Sequence, residues 1–450
     1  MTGSHHLAAE LGETLKLAVP IALTQLGQIA MMTTDIALIG RFGSEAVAAA
    51  SLAHTVFFVS FTFGMGLVSA VAPLAAQAFG ARNPHRVRRS LRVGLWAALF
   101  ISLPMMALSF RGEQILLLLG QSPVAASLAQ QYLLGLTWSI LPALWFLAIR
   151  GFMSAVNRPE PILWITLAAI PANAVLVYLL LYGPFGLPKF GLFGAGLATS
   201  IVNFGTLLAA LWFVARRRPF RKFHALGHLW RIDWELMRQL VVIGAPISVS
   251  FLLEYGLFGA AGLLMGIIST TALAAHQIAL QVAAILFMVP FGISIAATVR
   301  VGHAIGHREA DGVWRAGMVA TWLWVAIGAA LTLAVIFSRF GIAAIFLGES
   351  TDAAAQLSAT LLLVGSTFFV ADGIQTIAAG SLRGMNDTRI PLIFATLSYW
   401  LIAFPCAWWL AFHTMFGAVG VWIGLSVGTA VYATLLLLRF RFLARKLVFQ

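Results

Sequence analysis

The chain has one cysteine in 450 residues, Cys406, and it lies inside an apolar run. That excludes a disulfide framework, an iron–sulfur cluster and a thiolate zinc site. Charge is equally scarce. Asp, Glu, Lys and Arg together make up 10% of the sequence, where a soluble globular domain carries about 25%. The shortfall runs along the whole length, so no soluble class fits. No spacing of His, Cys and carboxylates resembles a metal site; His5 and His6 fall in the polar stretch MTGSHHLAAELGETLK, read as a disordered tail. A cleavable signal is not expected there either, because the first apolar stretch is too long for a signal-peptide core.

What the chain has in excess is hydrophobicity, at 61% of residues. Windows of about 20 apolar residues predict an all-α membrane protein with twelve transmembrane helices. They run 14–39, 46–76, 92–110, 127–149, 161–183 and 193–215, then 237–265, 272–304, 316–338, 354–380, 391–412 and 417–438. Two six-helix lobes, 1–215 and 237–450, are expected about a linker at 216–236. The polar stretch RRRPFRKFHALGHLWRIDWELMR (216–238) reads as cytoplasmic, with an amphipathic helix on anionic headgroups.

The net charge of +13 suggests nucleic acid until its distribution is examined. With alternating sides, 24 of the Lys and Arg residues fall on one face of the membrane and four (Arg41, Arg111, Lys189, Arg339) on the other. That is the positive-inside pattern. It predicts a multi-pass protein of a bacterial inner membrane, with both termini cytoplasmic. The lipid bilayer is then the partner, no nucleic acid is involved, and a monomer is expected.

The halves repeat at an offset of 226. Pro20-Ile21 falls on Pro246-Ile247, and AVAAASLAHTV (46–56) matches ALAAHQIALQV (272–282) at five of eleven positions. Gly80-x-Arg82 falls on Gly306-x-Arg308, and Asn157 echoes Asn386 at offset 229. Six spans per half make the lobes pseudo-symmetric about an axis along the membrane normal. Transporters built this way bind substrate near mid-membrane.

Three acids stand alone in these runs. Glu254 is the one formally charged residue between Arg238 and Arg300; Asp35 is alone between Lys16 and Arg41, and Asp372 between Asp352 and Arg383. An ionised carboxylate at the bilayer centre costs about 2.5–3.5 kcal/mol, and no basic residue is seen inside a span to offset it. A proton, Na⁺ or an organic cation must then neutralise each acid. If two such ligands exclude each other, loading one ejects the other, which is antiport. A potential of 100 mV supplies about 2.3 kcal/mol per charge. The competing reading is a carboxyl held neutral that only braces helices through hydrogen bonds. Asp387, beside Arg383 and Arg389, reads as part of an ion pair ordering its loop.

Oxygens that could complete such a site are carried by Gln28, Thr34, Asn173, Asn203, Gln277, Gln281 and Gln375, interhelical packing being the alternative for each. Tyr255, Phe258, Phe291 and Phe368 could face flat cations in a cavity, or pack against lipid. Pro20 and Pro246 occupy equivalent places upstream of Asp35 and Glu254, where a lost backbone bond would let each helix hinge.

These residues sit in stretches that resemble the multidrug and toxic compound extrusion (MATE) family, NorM-like branch. The stretches are PIALTQ (20–25), TTDIALIGRFGSEAVAAASLA (33–53), PLAAQAFGARN (73–83), PISVSFLLEYGLF (246–258), ALAAHQIALQV (272–282) and ADGIQTIAAGSLRGMNDTRIP (371–391). The resemblance implies a V-shaped pair of lobes in alternating access, exporting small cationic drugs or metabolites against H⁺ or Na⁺, with no cofactor. It matches Asp35, Glu254 and Asp372 to the family's acids, and Asn173 with Thr199 to a polar cluster around the first; Na⁺ could sit at any of the three acids. Val177 departs from the family's usual Asp or Asn. Two alternatives compete with this reading. A lipid-linked oligosaccharide flippase would want cationic residues in its cavity. An intramembrane enzyme would need a nucleophile–base pair, and His54 and His276 lack partners for one.

Overall fold

The computed structural model describes residues 2–348 and 353–448; Asp352, the acidic boundary of the tenth apolar run, lies outside them. Among the described residues there is no strand. Twelve helices among them are long and apolar enough to cross a membrane. They are α1 (Gly3–Gly40), α2 (Ser44–Gly80), α3 (Pro84–Phe110), α4 (Pro123–Ala155), α5 (Glu160–Tyr182), α6 (Leu192–Arg216), α7 (Trp234–Ile268), α8 (Thr270–Gly306), α9 (Ala310–Leu347), α10 (Ala353–Gly384), α11 (Arg389–Phe412) and α12 (Ala418–Leu447). In hydrocarbon every backbone N–H and C=O must find its partner within the segment. Each apolar run therefore closes its own helix, and all twelve expected spans are present.

The internal repeat is visible in the backbone. Arg82 and Arg308 both take positive φ, 56° and 60°, and so do Asn157 and Asn386, at 63° and 61°. Each of these residues ends a span in the same way, its amide and the next one donating back into the last helical turn. Asn83 donates to Ala78 and Glu309 to Ala304, both at 3.0 Å; Arg158 donates to Met153 at 2.9 Å and Asp387 to Leu382 at 3.0 Å. These are left-handed caps that satisfy otherwise orphaned carbonyls.

By packing, the chain divides into two compact units. One is Leu23–Ser248; the other comprises the described residues up to Ala22 and those from Val249 onward. The start of α1 thus packs with second-half helices, and the start of α7 with first-half helices. An ion pair explains the first grouping: Arg300 of α8 donates through Nε and Nη2 to the two carboxylate oxygens of Glu10, each at 2.9 Å. This pair also corrects two expectations. Residues 3–13 are helical rather than a disordered tail, and Arg300 is a basic residue inside a span. In the other unit Arg89 binds Asp233 just ahead of α7, and Arg86 donates to Gln239 at 2.9 Å. Further along α7, the Ser248 hydroxyl donates to the Phe63 carbonyl at 2.6 Å.

The linker between α6 and α7 carries no amphipathic helix. It holds one 3₁₀ turn, Phe220–Phe223, whose two phenylalanines are buried. Both rings lie against Phe152, at 6.1 and 5.7 Å between centroids. The stretch is spent on anchoring those rings, which leaves no continuous face for a surface helix.

Close helix crossings position the acids. On α4 a Cβ at Gly135 would come within 2.5 Å of the Leu197 amide on α6, so only glycine allows the approach. The Ser200 hydroxyl of α6 donates to the Gly135 carbonyl at that crossing. In the other unit the Thr298 hydroxyl of α8 donates to the Gly380 carbonyl of α10 at 2.7 Å. Around these contacts lie two apolar cores. One contains Ala53, Tyr132, Leu136 and Ala198; the other contains Phe368, Trp422, Leu425 and Leu436.

Candidate functional site

In the Leu23–Ser248 unit, α1, α5 and α6 converge on Asp35, which is 6% exposed. Asn173 of α5 donates its Nδ2 to Asp35 Oδ1 at 2.6 Å. The Thr199 hydroxyl of α6 is 3.4 Å from Oδ2 and shares its proton with the Ala195 carbonyl at 3.3 Å. Asn173 is fully buried, and its own Oδ1 has no hydrogen-bond partner among the described residues. Tyr132 lies within electrostatic reach of Asp35, with its hydroxyl 3.2 Å from His54 Nε2. Val177, one turn beyond Asn173, is buried in the apolar core and contributes no oxygen.

In the other unit, Asp372 of α10 is held by its own helix. Gln375 Nε2 donates to Asp372 Oδ1 at 3.1 Å, and the Thr376 hydroxyl donates to the Asp372 carbonyl at 2.7 Å. Glu254 of α7 lies within electrostatic reach of Asp372, Arg383, Tyr399 and Tyr432. The Tyr399 and Tyr432 rings meet edge-on at 5.1 Å, and the Tyr399 hydroxyl is buried with no hydrogen-bond partner among the described residues. Tyr399 sits in a π-helical segment of α11, Thr396–Ala403. Such wide turns leave the regular hydrogen-bond ladder and recur at functional sites. Here the turn places Trp400 so that its Nε1 donates to the Leu253 carbonyl, next to Glu254, at 3.2 Å.

Among the described residues the ion pairs are Lys16–Glu13, Arg89–Asp233, Arg300–Glu10 and Arg439–Asp387. None involves Asp35, Glu254 or Asp372. Two details differ from the sequence reading. Asp387 pairs with Arg439 of α12 at 2.9 Å, not with Arg383 or Arg389. Arg383, at the end of α10, reaches the field of Glu254, and its guanidinium stands 5.0 Å over the Phe251 ring of α7.

The remaining candidates are scattered. Thr34 returns its hydroxyl to the Ala30 carbonyl at 2.8 Å. Gln28, Gln277 and Gln281 are exposed, and Asn203 is half-buried one turn beyond Thr199. Phe368 is a core residue, its ring 5.9 Å from Phe258 and 5.4 Å from Trp422. Phe291 meets Phe287 in a tilted contact at 5.8 Å, and Tyr255 is half-buried beside Glu254. The sequence reading missed Tyr399, Tyr432, Thr376 and Arg383. Tyrosine is rare here, six in the chain, and a lone phenol inside the run TLSYWLIAFP was the available signal.

The sequence profile described as MatE matches residues 20–179 and again 246–409. The two matches begin at the offset of 226 read from the sequence. The chain belongs to the MATE family. That family is one of membrane transporters, so the intramembrane-enzyme alternative falls away. A relative from Bradyrhizobium diazoefficiens, described as a probable multidrug resistance protein NorM, is 66% identical over 446 residues, covering 99% of this chain and 96% of the relative. Its counterpart from Rhodopseudomonas palustris is 59% identical over 438 residues, covering 97% and 92%. A crystal structure of the eukaryotic MATE transporter AtDTX14 matches with a TM-score of 0.88 at 21% identity, covering 98% of each chain. That likeness supports the twelve-helix MATE fold.

Proposed function

We propose that this MATE chain exports small cationic, amphipathic drugs or metabolites in exchange for H⁺ or Na⁺ by alternating access. The observation that carries the reading is Asp35, buried between Asn173 and Thr199 with no basic side chain among the described residues paired to it. A mobile cation is the remaining way to neutralise an ionised carboxylate there. A proton would do so directly. Na⁺ would draw on the carboxylate, the unpartnered Asn173 Oδ1 and the Thr199 hydroxyl, all hard oxygen donors. Glu254 and Asp372 offer a second place, where two carboxylates within electrostatic reach of each other repel and an incoming cation relieves both.

In this reading the lobes are 1–215 and 237–450, joined by 216–236, in a monomer. The basic loops face the cytoplasm of a bacterial inner membrane, in keeping with the bacterial relatives. Pro20 and Pro246 act as hinges, since packing changes from one compact unit to the other two residues beyond each. The test is efflux of a cationic dye from inverted vesicles, energised separately by a pH gradient and a Na⁺ gradient. Asp35→Asn, Glu254→Gln and Asp372→Asn should each lower gradient-driven efflux about tenfold or more, the equivalent of about 1.4 kcal/mol. Equal rates in wild type and all three variants would overturn the assignment.

A further inference from the structure

On the Leu23–Ser248 unit, a cavity of about 230 Å³ that shares no lining residue with the Asp35 cluster is walled by Leu95, Trp96 and Leu99 of α3, Trp145 of α4, Leu211 of α6 and Leu229 of the linker. Its polar groups are already satisfied. Trp96 Nε1 donates to the Leu229 carbonyl at 2.6 Å, and Trp145 Nε1 donates to the Leu95 carbonyl at 2.8 Å. The two indoles therefore offer the cavity apolar ring surface. The first of these bonds also ties the linker to α3.

One turn before Leu95 on α3 the chemistry changes sign. Arg88, Arg89, Arg231 and Asp233 all lie within electrostatic reach of Arg92, leaving four guanidinium groups around one carboxylate. Arg89 is committed to Asp233. Arg92 is only 6% exposed, and neither its Nε nor that of Arg88 has a hydrogen-bond partner among the described residues. Arg88 meets one further group, His85, with Nη2 3.3 Å from His85 Nδ1. Exposed aromatics flank the same helix: Trp230, next to Arg231, is 71% exposed, and Trp234, 66% exposed, stacks at 6.4 Å with Phe100, one residue past Leu99. Exposed tryptophans beside arginines at span ends mark the headgroup region of a bilayer. An uncompensated positive cluster thus adjoins an apolar slot that begins one turn further along α3.

We propose that this face is a binding site for an anionic phospholipid, its phosphate on Arg88, Arg92 and Arg231 and one acyl chain in the Trp96–Trp145 cavity. The charge decides the class of occupant. A zwitterionic lipid leaves the surplus of guanidinium charge in place, and an apolar peptide segment brings nothing to offset it. A single amphiphile with a net negative head satisfies both halves at once. Bound there, it braces the linker against α3.

The test uses the full chain in nanodiscs of equal phosphatidylglycerol and phosphatidylcholine, with retained lipid read by native mass spectrometry after release. Wild type should retain phosphatidylglycerol in clear excess. Arg88→Gln/Arg92→Gln should lower that ratio about tenfold or more, since each basic group near an anionic surface contributes about fivefold. Arg231→Gln alone, in the exposed linker, should lower it about fivefold and guards against misfolding of the double variant. Leu99→Trp, which fills the cavity, should lower phosphatidylglycerol retention with every arginine in place. Equal retention of the two lipids by wild type overturns the site. So does an excess that survives the arginine variants, or one untouched by Leu99→Trp.

Discussion

Replacing Glu10 by Gln tests why the start of α1 packs with the second-half helices. Glu10 is 6% exposed and accepts two bonds of 2.9 Å from Arg300. A glutamine keeps one acceptor oxygen and turns its amide nitrogen toward a donor, so one bond is lost and the guanidinium stays charged. Removing one partner of a buried pair costs about 3–5 kcal/mol. Two features lower that here: the Arg300 side chain keeps 21% exposure, and Glu13 and Glu309 lie within its electrostatic reach. The expected loss is about 2–3 kcal/mol. Glu10→Leu/Arg300→Met, with no charge to strand, should fall within about 1 kcal/mol of wild type. Both are measured as shifts of the unfolding midpoint in detergent, with hydrogen exchange across residues 3–20 reporting whether α1 detaches first. If Glu10→Gln is silent, or the double variant is as damaged as the single one, the ion pair does not hold this segment.

Three further outcomes are expected. Gly373→Ala drives a methyl group into the buried Trp324 indole, whose Nε1 donates to the Val370 carbonyl at 3.1 Å; overpacking of this kind costs about 1–3 kcal/mol, and Trp324→Phe in the same background should recover part of the lost thermal stability. Asn173→Ala removes the 2.6 Å bond to Asp35, a charge-assisted contact of about 1.5–3 kcal/mol; gradient-driven efflux should fall about tenfold or more, and unchanged efflux would show that the amide has no part in coupling. Burial pushes the Asp233 carboxyl up, but the Arg89 hydrogen bond, the Leu236 N–H and the charges of Arg89 and Arg92 outweigh it and hold the group below its ordinary 3.8. A depressed value means stabilisation present above 3.8 and lost as pH falls through the folded value, so the unfolding midpoints of wild type and Asp233→Asn should differ at neutral pH and converge in acid.

The twelve spans, the two-fold repeat and the isolation of the three acids could all be read along the chain. The reason is local: a bilayer sets the length of an apolar run and makes each run satisfy its own backbone. The shared left-handed caps at Arg82 and Arg308, and at Asn157 and Asn386, follow from short sequence signals as well. That Asn173 and Thr199 belong with Asp35 was legible through family resemblance, since nothing in three separate runs says which faces meet. Other features are properties of packing alone. Glu10 and Arg300 are 290 positions apart, and no periodicity links them. The regrouping just past Pro20 and Pro246, the choice of Arg439 as partner of Asp387, and the gathering of Tyr399, Tyr432 and Arg383 around Glu254 depend on how each helix is rotated about its axis. That rotation is decided where small residues such as Gly135 and Gly380 let backbones close up, and only the folded chain brings those surfaces together.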